Sequence, residues 1–390
     1  MGRVGKVARV NDLKLLLLFT RGISLGVWNS IGMLEREVAL YRRLRPELAK
    51  IRFLTYGDES ERDFEGMLDD IQILPNERKL SPTKFSLLAP LLFRNEFREA
   101  DVIKTNQLDG AWTGVIAKLL YRKKLIVRCG YIWSVFQRNQ LGDGFDVRIS
   151  HWLEKLCLKL ADVCVVATER DAGYIRKEHG ISDSRIRVVP NYVDTDLFKP
   201  MPEIKREDGL VCFVGRLAPQ KNVEALFEAC HGLDGVKLLI IGDGHLREEL
   251  TRKAEELALG VEFHLSIPNR ELPKHLNRAQ VFVLPSHYEG CPKTLLEAMA
   301  CELPVIGTNV EGIRDIIRDG ENGILCEKSP QGIRNALRTV FADPPSAEAM
   351  GKRARRYVVE RHSLEHIVER ELKVIESLTM RMGQTEPARS

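Results

Sequence analysis

PSHYEGCPKTLLEAMACELPVIGT, residues 285–308, is the most informative segment of this sequence. An apolar segment that ends at Leu284 precedes it, and a second apolar segment ends at Gly307. Between them the spacing predicts a Gly-containing turn and a short helix, as in a parallel α/β sheet. A helix that starts above the end of such a strand directs backbone N–H groups and a positive dipole at an anion. The stretch therefore predicts an anion site.

Two carboxylates, Glu289 and Glu297, bracket this turn and helix. An acidic side chain in the loop can contact the neutral, hydroxylated part of the ligand whose anionic part sits at the helix. A phosphate with a sugar attached satisfies both requirements. The pattern therefore predicts a nucleotide-sugar site.

Length and composition favour a two-domain globular enzyme. A chain of 390 residues exceeds the usual size of one domain, and 44% hydrophobic with 29% charged residues is typical of soluble proteins. The apolar run Leu15–Phe19 is much shorter than the roughly 20 residues of a membrane span. The eight cysteines show no C-x-x-C spacing, which favours a reducing cytoplasmic location over a disulfide framework.

Charge is unevenly distributed along the chain. Residues 1–199 hold 33 Lys/Arg against 26 Asp/Glu, and residues 200–390 hold 26 against 29. The excess in the first half favours an anionic partner, which can be a membrane surface, a phosphorylated acceptor or nucleic acid; a scattered, solvated surface is the alternative. No basic motif interleaved with aromatic residues is present, so we predict no nucleic-acid partner.

Short β-rich runs alternate with helical patterns throughout, which predicts two Rossmann-like doubly wound domains that face a cleft. The predicted domains are 1–198 and 199–362, joined at a stiff Lys199-Pro200-Met201-Pro202 connector. A helix over residues 363–380 follows, and residues 384–390 are predicted to be a disordered tail. The predicted strands are Leu13–Thr20, Arg52–Tyr56, Asp101–Thr105, Leu125–Arg128, Cys164–Ala167, Leu210–Val214, Val236–Ile241, Val261–His264, Val281–Leu284 and Val305–Gly307.

Two loops after strands of the second half carry groups suited to a diphosphate. Gly215 permits a tight turn after one strand, and Arg216 and Lys221 can both reach a diphosphate from the loop that it starts. Gly242 follows the next strand in a Gly-Asp-Gly sequence. This sequence lacks the full dinucleotide fingerprint, so it predicts no nicotinamide or flavin cofactor.

The helix within the opening stretch supplies the remaining donors. The N–H groups of Thr294 and Leu295 fall at its start, and Pro292, which has no N–H, suits the position where a helix begins. Two cations and a helix N-terminus can neutralise a departing diphosphate, so the sequence predicts no metal site.

The chain resembles the retaining glycosyltransferases of the GT-B fold, family four in the usual classification. The resemblance covers nearly the whole second half and the last part of the first. The segments that carry it are ADVCVVATERD (from Ala161), RIRVVPNYVDTDLF (from Arg185), FVGRLAPQKN (from Phe213), IIGDG (from Ile240), LPSHYEGCPKTLLEAMACELPVIGT (from Leu284) and EGIRDIIRDGENGIL (from Glu311).

The resemblance implies roles for the donor-side residues. Arg216 and Lys221 would clamp the diphosphate, and Glu297 would hold the ribose hydroxyls. Glu289 would contact the hydroxyls of the sugar, supported by N–H groups after Gly290. The base would lie against the loop 265–268, where we select Ile267.

The resemblance also implies roles in the first domain. Gly22 and Gly26, after the first strand, are similar to a glycine loop that reaches the donor phosphates. The last helix would return to the first domain. The family often carries a histidine near the sugar, and this sequence has none at that place, so Arg128 and Tyr131 are the acceptor-side candidates.

We therefore predict a hexosyltransferase that moves a sugar from a nucleoside diphosphate donor, UDP or GDP, to a hydroxyl acceptor with net retention. Front-face attack and double displacement both stay open, and Glu289 is interpreted as a hydroxyl ligand rather than a nucleophile. The apolar segment Ser81–Phe97 is interpreted as core, with contact to a membrane as the second interpretation. A lipid-linked or cell-surface glycan acceptor follows from that alternative and from the basic first half. A sugar-nucleotide epimerase and a non-catalytic sugar-nucleotide-binding protein are the rival functions.

Overall fold

The computed structural model describes residues 10–142 and 144–379. The tail predicted at residues 384–390 lies outside the described residues. So does Met380, the last residue of the predicted final helix.

The first sheet consists of parallel strands in the spatial order β3-β2-β1-β4-β5-β6-β7. Most of its strands are buried along nearly their whole length, because helices cover both faces of a doubly wound sheet. The strands are β1 (Lys14–Leu18), β2 (Lys50–Leu54), β3 (Gln72–Leu74), β4 (Val102–Thr105), β5 (Lys124–Cys129), β6 (Val163–Val166) and β7 (Ile186–Val188). The helices in this part are α1 (Leu25–Ser30), α2 (Leu34–Leu44), α3 (Pro82–Leu92), α4 (Arg94–Glu99), α5 (Trp112–Tyr121), α6 (Trp133–Leu141), α7 (Phe145–Leu160) and α8 (Glu169–His179).

The second sheet repeats this plan in the order β10-β9-β8-β11-β12-β13, again with parallel pairs. Its strands are β8 (Leu210–Val214), β9 (Lys237–Ile241), β10 (Val261–His264), β11 (Val281–Leu284), β12 (Val305–Thr308) and β13 (Ile324–Cys326). Its helices are α9 (Val223–Cys230), α10 (Arg247–Glu256), α11 (Leu272–Arg278), α12 (Lys293–Ala300), α13 (Pro330–Ala342) and α14 (Pro344–His362), and α15 (Leu364–Thr379) ends the described chain. Both sheets have the strand order of a dinucleotide-binding fold, which confirms the predicted fold class.

The strands that the sequence did not predict, β3, β7 and β13, have three residues each and lie at sheet edges. An edge strand pairs on one side only and needs less apolar sequence, so the pattern that identifies central strands is weak there. A short break at residues 31–33 separates α1 from α2. Gly32 lies in the break with a φ of +70°, a left-handed conformation that ends a helix.

The chain forms two compact units. Among the described residues, one comprises residues 10–30, 37–142, 144–190 and 367–379, and the other residues 31–36 and 191–366. Most of α15 therefore packs with the first unit although it follows the second in sequence. The acceptor and donor roles assigned to the two predicted domains stay predictions.

A buried ionic cluster fixes α15 to the first sheet. The ammonium of Lys104 on β4 lies 2.8 Å from Glu371 of α15, and both side chains are fully buried. The guanidinium of Arg128 on β5 lies 3.7 Å from the same carboxylate. Burial lowers the pKa of Lys104, while the charge of Glu371 opposes that effect.

Candidate functional site

The predicted donor-side residues follow β8 and β11, which are neighbours in the second sheet. The chain leaves β8 toward β9 on one side and reaches β11 on the other, so the strand order reverses between them. Ligands of open parallel sheets bind at the carboxyl ends of the strands at such a switch point. Arg216 and Lys221 follow β8 and Glu289 follows β11, so the topology brings these loops to that place.

Direct hydrogen bonds join the two loops. The side chain of Gln220 donates to the carbonyl of Tyr288 at 2.9 Å, and the N–H of His287 donates to the carbonyl of Gln220 at 2.8 Å. Asn222 donates to the carbonyl of Pro285 at 3.1 Å. The backbone of Asn222 has a φ of +52°, a left-handed conformation that Asn tolerates better than most residues. The Gln-Lys-Asn sequence therefore positions one loop against the other.

Lys221 and Glu289 form an ion pair in the second unit. The ammonium nitrogen lies 2.5 Å from Oε1 of Glu289, and the side chains are only 15% and 7% exposed. The hydroxyl of Ser286 donates to the same oxygen at 2.6 Å. Both charged residues were among those predicted from the sequence, whereas Ser286, which orients the carboxylate, was not. Its position two residues after the strand end was the only available signal.

Arg216 differs from Lys221 in its surroundings. Its side chain is exposed and makes no ion pair or side-chain hydrogen bond within residues 10–142 and 144–379. Lys221 is held by a carboxylate, whereas the guanidinium of Arg216 is available to an anion. The sequence predicted the same role, binding of a diphosphate, for both cations. In the structure they differ, because one is paired with a carboxylate and the other is exposed.

Helix α12 begins without a side-chain cap. Pro292 occupies the N-cap position and offers no side-chain acceptor. The first N–H groups of a helix, here including those of Thr294 and Leu295, have no partner within the helix itself. Their dipole adds a partial positive charge. This end of α12 is suited to bind an anion.

Glu297 is buried at 2% exposure within α12. Its Oε1 lies 3.4 Å from a guanidinium nitrogen of Arg36, a residue of the same compact unit. Its Oε2 is buried and has no hydrogen-bond partner among the described residues. A buried acceptor of this kind is destabilising unless a ligand or water satisfies it. The structure thus provides an open acceptor where the sequence predicted a hydroxyl ligand.

Glycines bring the loops of this site into backbone contact. A Cβ on Gly242 would lie 2.0 Å from the carbonyl oxygen of Gly215, and one on Gly312 would lie 2.2 Å from the carbonyl oxygen of Gly290. Gly242 therefore permits the approach of another loop of the chain. Gly312 supports the Glu289–Gly290 turn in the same way, and sequence analysis did not select it.

The loop proposed for the base follows β10. Leu265 is 59% exposed and Ile267 is partly buried. An exposed leucine beside a partly buried isoleucine offers an apolar surface to a flat ring. The contact with a base stays a prediction.

The glycine loop of the first unit is arranged differently. Gly22 has a φ of +78° and forms a turn after β1. The N–H groups of Leu25 and Gly26 donate to the two oxygens of Glu61 at 2.8 and 2.9 Å. Glu61 is 2% exposed, so this carboxylate already occupies the start of α1. A contact between Gly26 and a phosphate stays a prediction. If the N–H of Gly26 made that contact, Glu61 would first have to move.

The acceptor-side candidates also lie in the first unit. Arg128 belongs to the buried cluster with Lys104 and Glu371, which gives its guanidinium a structural contact. The ring of Tyr131 packs on Phe136 with a centroid distance of 5.0 Å. Neither observation assigns a ligand, and both roles stay predictions.

Two family profiles match the chain. "Glycosyltransferase Family 4" matches residues 38–197, and "Glycosyl transferases group 1" matches residues 194–357. Together the two profiles span most of the described chain and meet near the join between the two units. The chain belongs to the group 1, family four glycosyltransferases. As an enzyme of this family, it uses a nucleoside diphosphate sugar as donor.

Several curated relatives of this glycosyltransferase are named for different products or pathways. It is 28% identical over 330 residues to the α-maltose-1-phosphate synthase of Mycolicibacterium smegmatis, covering 77% of this chain and 85% of the relative. It is 26% identical to the lipopolysaccharide core biosynthesis glycosyltransferase LpsE of Rhizobium meliloti, covering 63% and 71%. An Escherichia coli galactosyltransferase named for UDP-Gal and α-D-GlcNAc-diphosphoundecaprenol is 30% identical, covering 53% and 58%.

Solved structures share the GT-B fold of this glycosyltransferase. The sucrose-phosphate synthase of Thermosynechococcus elongatus matches 95% of this chain and all of its own, with a TM-score of 0.78 and 20% identity. Anabaena HepE, solved in complex with UDP and glucose, matches 94% and 100%, with a TM-score of 0.76 and 18% identity. At these identities the likeness establishes the fold.

Proposed function

We propose that this glycosyltransferase transfers a hexose from UDP or GDP to a hydroxyl acceptor with retention and without a metal ion. The unsatisfied Oε2 of Glu297 beside the uncapped start of α12 carries this proposal. A donor that places its diphosphate at the helix and its ribose hydroxyls at Glu297 satisfies both groups at once. The family membership supports retention.

Transfer breaks the bond between the anomeric carbon and the diphosphate, and negative charge grows on the departing phosphate. Arg216 is free to approach that charge, and Lys221 is already ordered beside it by Glu289. With the dipole of α12 these groups supply the positive field that a metal ion supplies in other transferases. Metal independence is therefore part of the proposal.

Glu289 acts in this proposal as a ligand of the sugar hydroxyls. Its Oε1 already accepts from Lys221 and Ser286, so the carboxylate is held in a fixed orientation. That arrangement positions an acceptor of hydroxyl hydrogen bonds. Burial lowers the pKa of the neighbouring His287, which favours its neutral form near this carboxylate.

The acceptor is proposed to be a lipid-linked or cell-surface glycan intermediate, at the inner face of the cytoplasmic membrane. Helices α3, α5 and α7 present an exposed apolar face, formed by Leu87, Leu88, Leu91, Leu119, Leu120, Phe145, Ile149, Trp152 and Leu156. Arg148, Lys155 and Lys159 project along one side of α7 next to it, as their helical spacing dictates. Apolar side chains beside cations are typical of surfaces that bind anionic membranes.

The segment Ser81–Phe97 belongs to this face in part. Phe85 and Ala89 pack in the core as predicted, whereas Leu87, Leu88 and Leu91 are exposed. In the described residues, no helix combines the length and apolar character that crossing a bilayer requires. The proposed association is therefore with the membrane surface.

A donor screen by thermal unfolding tests the proposal. UDP-, GDP- and ADP-sugars are compared, and one class is expected to raise the Tm of the wild-type protein by mass action. The same series on Glu297→Gln should lose most of that shift. Addition of EDTA should leave the shift unchanged, and dependence on a divalent ion would contradict the metal-free reaction.

Product analysis separates transfer from the rival functions. With donor and a lipid-linked acceptor, a retained glycoside is expected; an epimer of the donor formed without acceptor would replace this proposal by the epimerase. Co-sedimentation with vesicles that contain anionic lipid tests the surface, with Trp152→Ser and Phe145→Ser as variants. Binding that does not respond to these substitutions would remove the membrane part.

A further inference from the structure

A cluster of metal-ligating side chains lies in the first unit, and none of its residues belongs to the candidate donor site. His151 and Glu154 are three residues apart on α7, and His179 ends α8. One ligand atom from each residue lies within 4.8 Å of the others. Residues three apart on a helix face the same side, so α7 offers an imidazole and a carboxylate together.

The centre of the cluster is a buried pair. His179 Nε2 lies 2.6 Å from Oε1 of Glu154, and both side chains are fully buried. The backbone N–H of Ser134 donates to Oε2 of Glu154 at 3.0 Å, and its hydroxyl donates to Oε1 at 3.2 Å. Ser134 lies in the first turn of α6, so the start of that helix orients the carboxylate. Metal-binding carboxylates commonly have such a supporting donor.

The histidine–glutamate pair does not satisfy the cluster. Nδ1 of His151 and Nδ1 of His179 are buried, and neither has a hydrogen-bond partner among the described residues. The two rings are close, with centroids 4.8 Å apart. Two buried imidazole nitrogens without partners, on neighbouring rings beside a carboxylate, require a further bonded species.

We propose that His151, Glu154 and His179 form a binding site for one divalent transition-metal ion of the Zn²⁺ class, with water as the fourth ligand. Two imidazoles and one carboxylate are a ligand set that Zn²⁺ prefers. Zinc–ligand bonds of about 2.0–2.1 Å place tetrahedral ligand atoms roughly 3.3 Å apart, and the ligand atoms of this cluster all lie within 4.8 Å of one another.

His151 is partly exposed, whereas the other two residues are buried. The ion therefore has access from the side of His151. By joining α7 to the end of α8, it stabilises the first unit.

A second group in the chain, Glu262, His264 and His275, offers the same ligand types and provides a matched control. Unlike Glu154, the carboxylate of this group is paired with an arginine. Arg278 donates to both oxygens of Glu262 at 3.2 and 3.0 Å. A cation already neutralises this carboxylate, so we assign the ion to the first cluster.

The experiment uses the full chain with a histidine-free tag. The apo protein is titrated with Co²⁺ and Zn²⁺, and the visible bands of four-coordinate Co²⁺, bound metal per chain and Tm are recorded. We expect one ion per chain and, at a hundred-fold excess of free Zn²⁺ over Kd, a rise of about 5 °C in Tm. His151→Asn should lose the Co²⁺ bands and the Tm rise but retain the circular dichroism and apo Tm of the wild type.

The controls decide between sites. His264→Asn should retain both signals, and Glu154→Gln, which preserves the shape of the buried side chain, should lose them. Less than one-fifth of an equivalent of bound metal would overturn the proposal and leave a buried His–Glu pair with water. Bands that survive His151→Asn, or disappear only in His264→Asn, would overturn it as well. None of these measurements depends on sugar transfer.

Discussion

Two helix starts in this protein differ in what faces them. At α1 the N–H groups of Leu25 and Gly26 are taken by Glu61 of the same unit. At α12 no side chain caps the helix, and Oε2 of the buried Glu297 has no partner among the described residues. Both helices follow loops at the carboxyl ends of strands. At α1 a carboxylate of the protein itself satisfies the N–H donors. At α12 the N–H donors and a carboxylate oxygen are available to a ligand.

The two helix starts therefore contribute differently to the stability of the fold and to ligand binding. A helix start that receives a carboxylate of the chain is stabilised and contributes to folding. A start that lacks one contributes less to folding and keeps its donors for a ligand. We therefore assign the donor diphosphate to α12 and expect substitutions at the two places to have different consequences.

The largest expected effect is that of Arg216→Ala. Its guanidinium is exposed and has no ion pair within residues 10–142 and 144–379, so its proposed contribution is to the departing diphosphate. Loss of one such group typically lowers kcat by about 10²–10³-fold, and we expect a decrease of that size with little change in Tm. Steady-state kinetics and thermal unfolding measure both. Arg338→Ala, at another exposed arginine of the second unit, is the control and should retain activity. A loss below about five-fold would show that α12 and Lys221 suffice.

The second prediction compares Glu297→Gln with Glu61→Gln. Hydrogen bonds to a charged acceptor are worth about 1.5–3 kcal/mol. Glu297→Gln should therefore raise the donor Kd by roughly 10–100-fold. Its effect on Tm should be smaller, since the glutamine retains an oxygen facing Arg36 and Oε2 has no hydrogen bond to lose. Calorimetry of donor binding and thermal unfolding provide the two readouts.

Glu61→Gln should show the opposite pattern. Both oxygens of Glu61 accept from backbone N–H groups, and an amide can accept only through one. The free energy of unfolding should fall by about 1–3 kcal/mol, while the donor Kd changes less than two-fold. A donor Kd that rises as much as in Glu297→Gln would place the phosphates at α1 and reverse the assignment.

The fold and the charged residues of the candidate site could be predicted from the sequence. The contacts that these residues make could not. Short β-rich runs identified the central strands, because buried parallel strands are rich in apolar residues. The motif around Glu289 identified both glutamates. Nothing in the local pattern indicates that Lys221 pairs with Glu289 or that Glu61 reaches α1 from 35 residues away. Such contacts depend on which loops meet after folding.

The third prediction concerns Gly312, whose contact with the Glu289–Gly290 turn was also not apparent from sequence. Its φ of +80° is unfavourable for alanine, and a Cβ would lie 2.2 Å from the carbonyl oxygen of Gly290. Gly312→Ala should displace this turn, lower kcat by about ten-fold and reduce stability by roughly 1–3 kcal/mol. Gly320→Ala is the matched control, because its φ is +71° but a Cβ there would meet no atom within 4 Å. Equal kcat values for the two variants would show that the position of the Glu289–Gly290 turn does not affect catalysis.

The smallest expected effect concerns a carboxylate that, unlike Glu297, has its partners. Arg278, followed by His264, lowers the pKa of Glu262 from 4.5 to about 2. Because this pKa is lower in the folded than in the unfolded state, the stabilisation is present above pH 4.5 and is lost as pH falls toward 2. Glu262 is 41% exposed, so the contribution is below about 1 kcal/mol. Urea unfolding of wild type and Glu262→Gln at pH 6 and pH 3.5 should show a difference that narrows on acidification. Glu203→Gln, at an exposed glutamate, should show none at either pH. If the unfolding free energies of wild type and Glu262→Gln differ by the same amount at both pH values, the ion pair does not contribute. The acid sensitivity of the second unit would then have to come from other carboxylates.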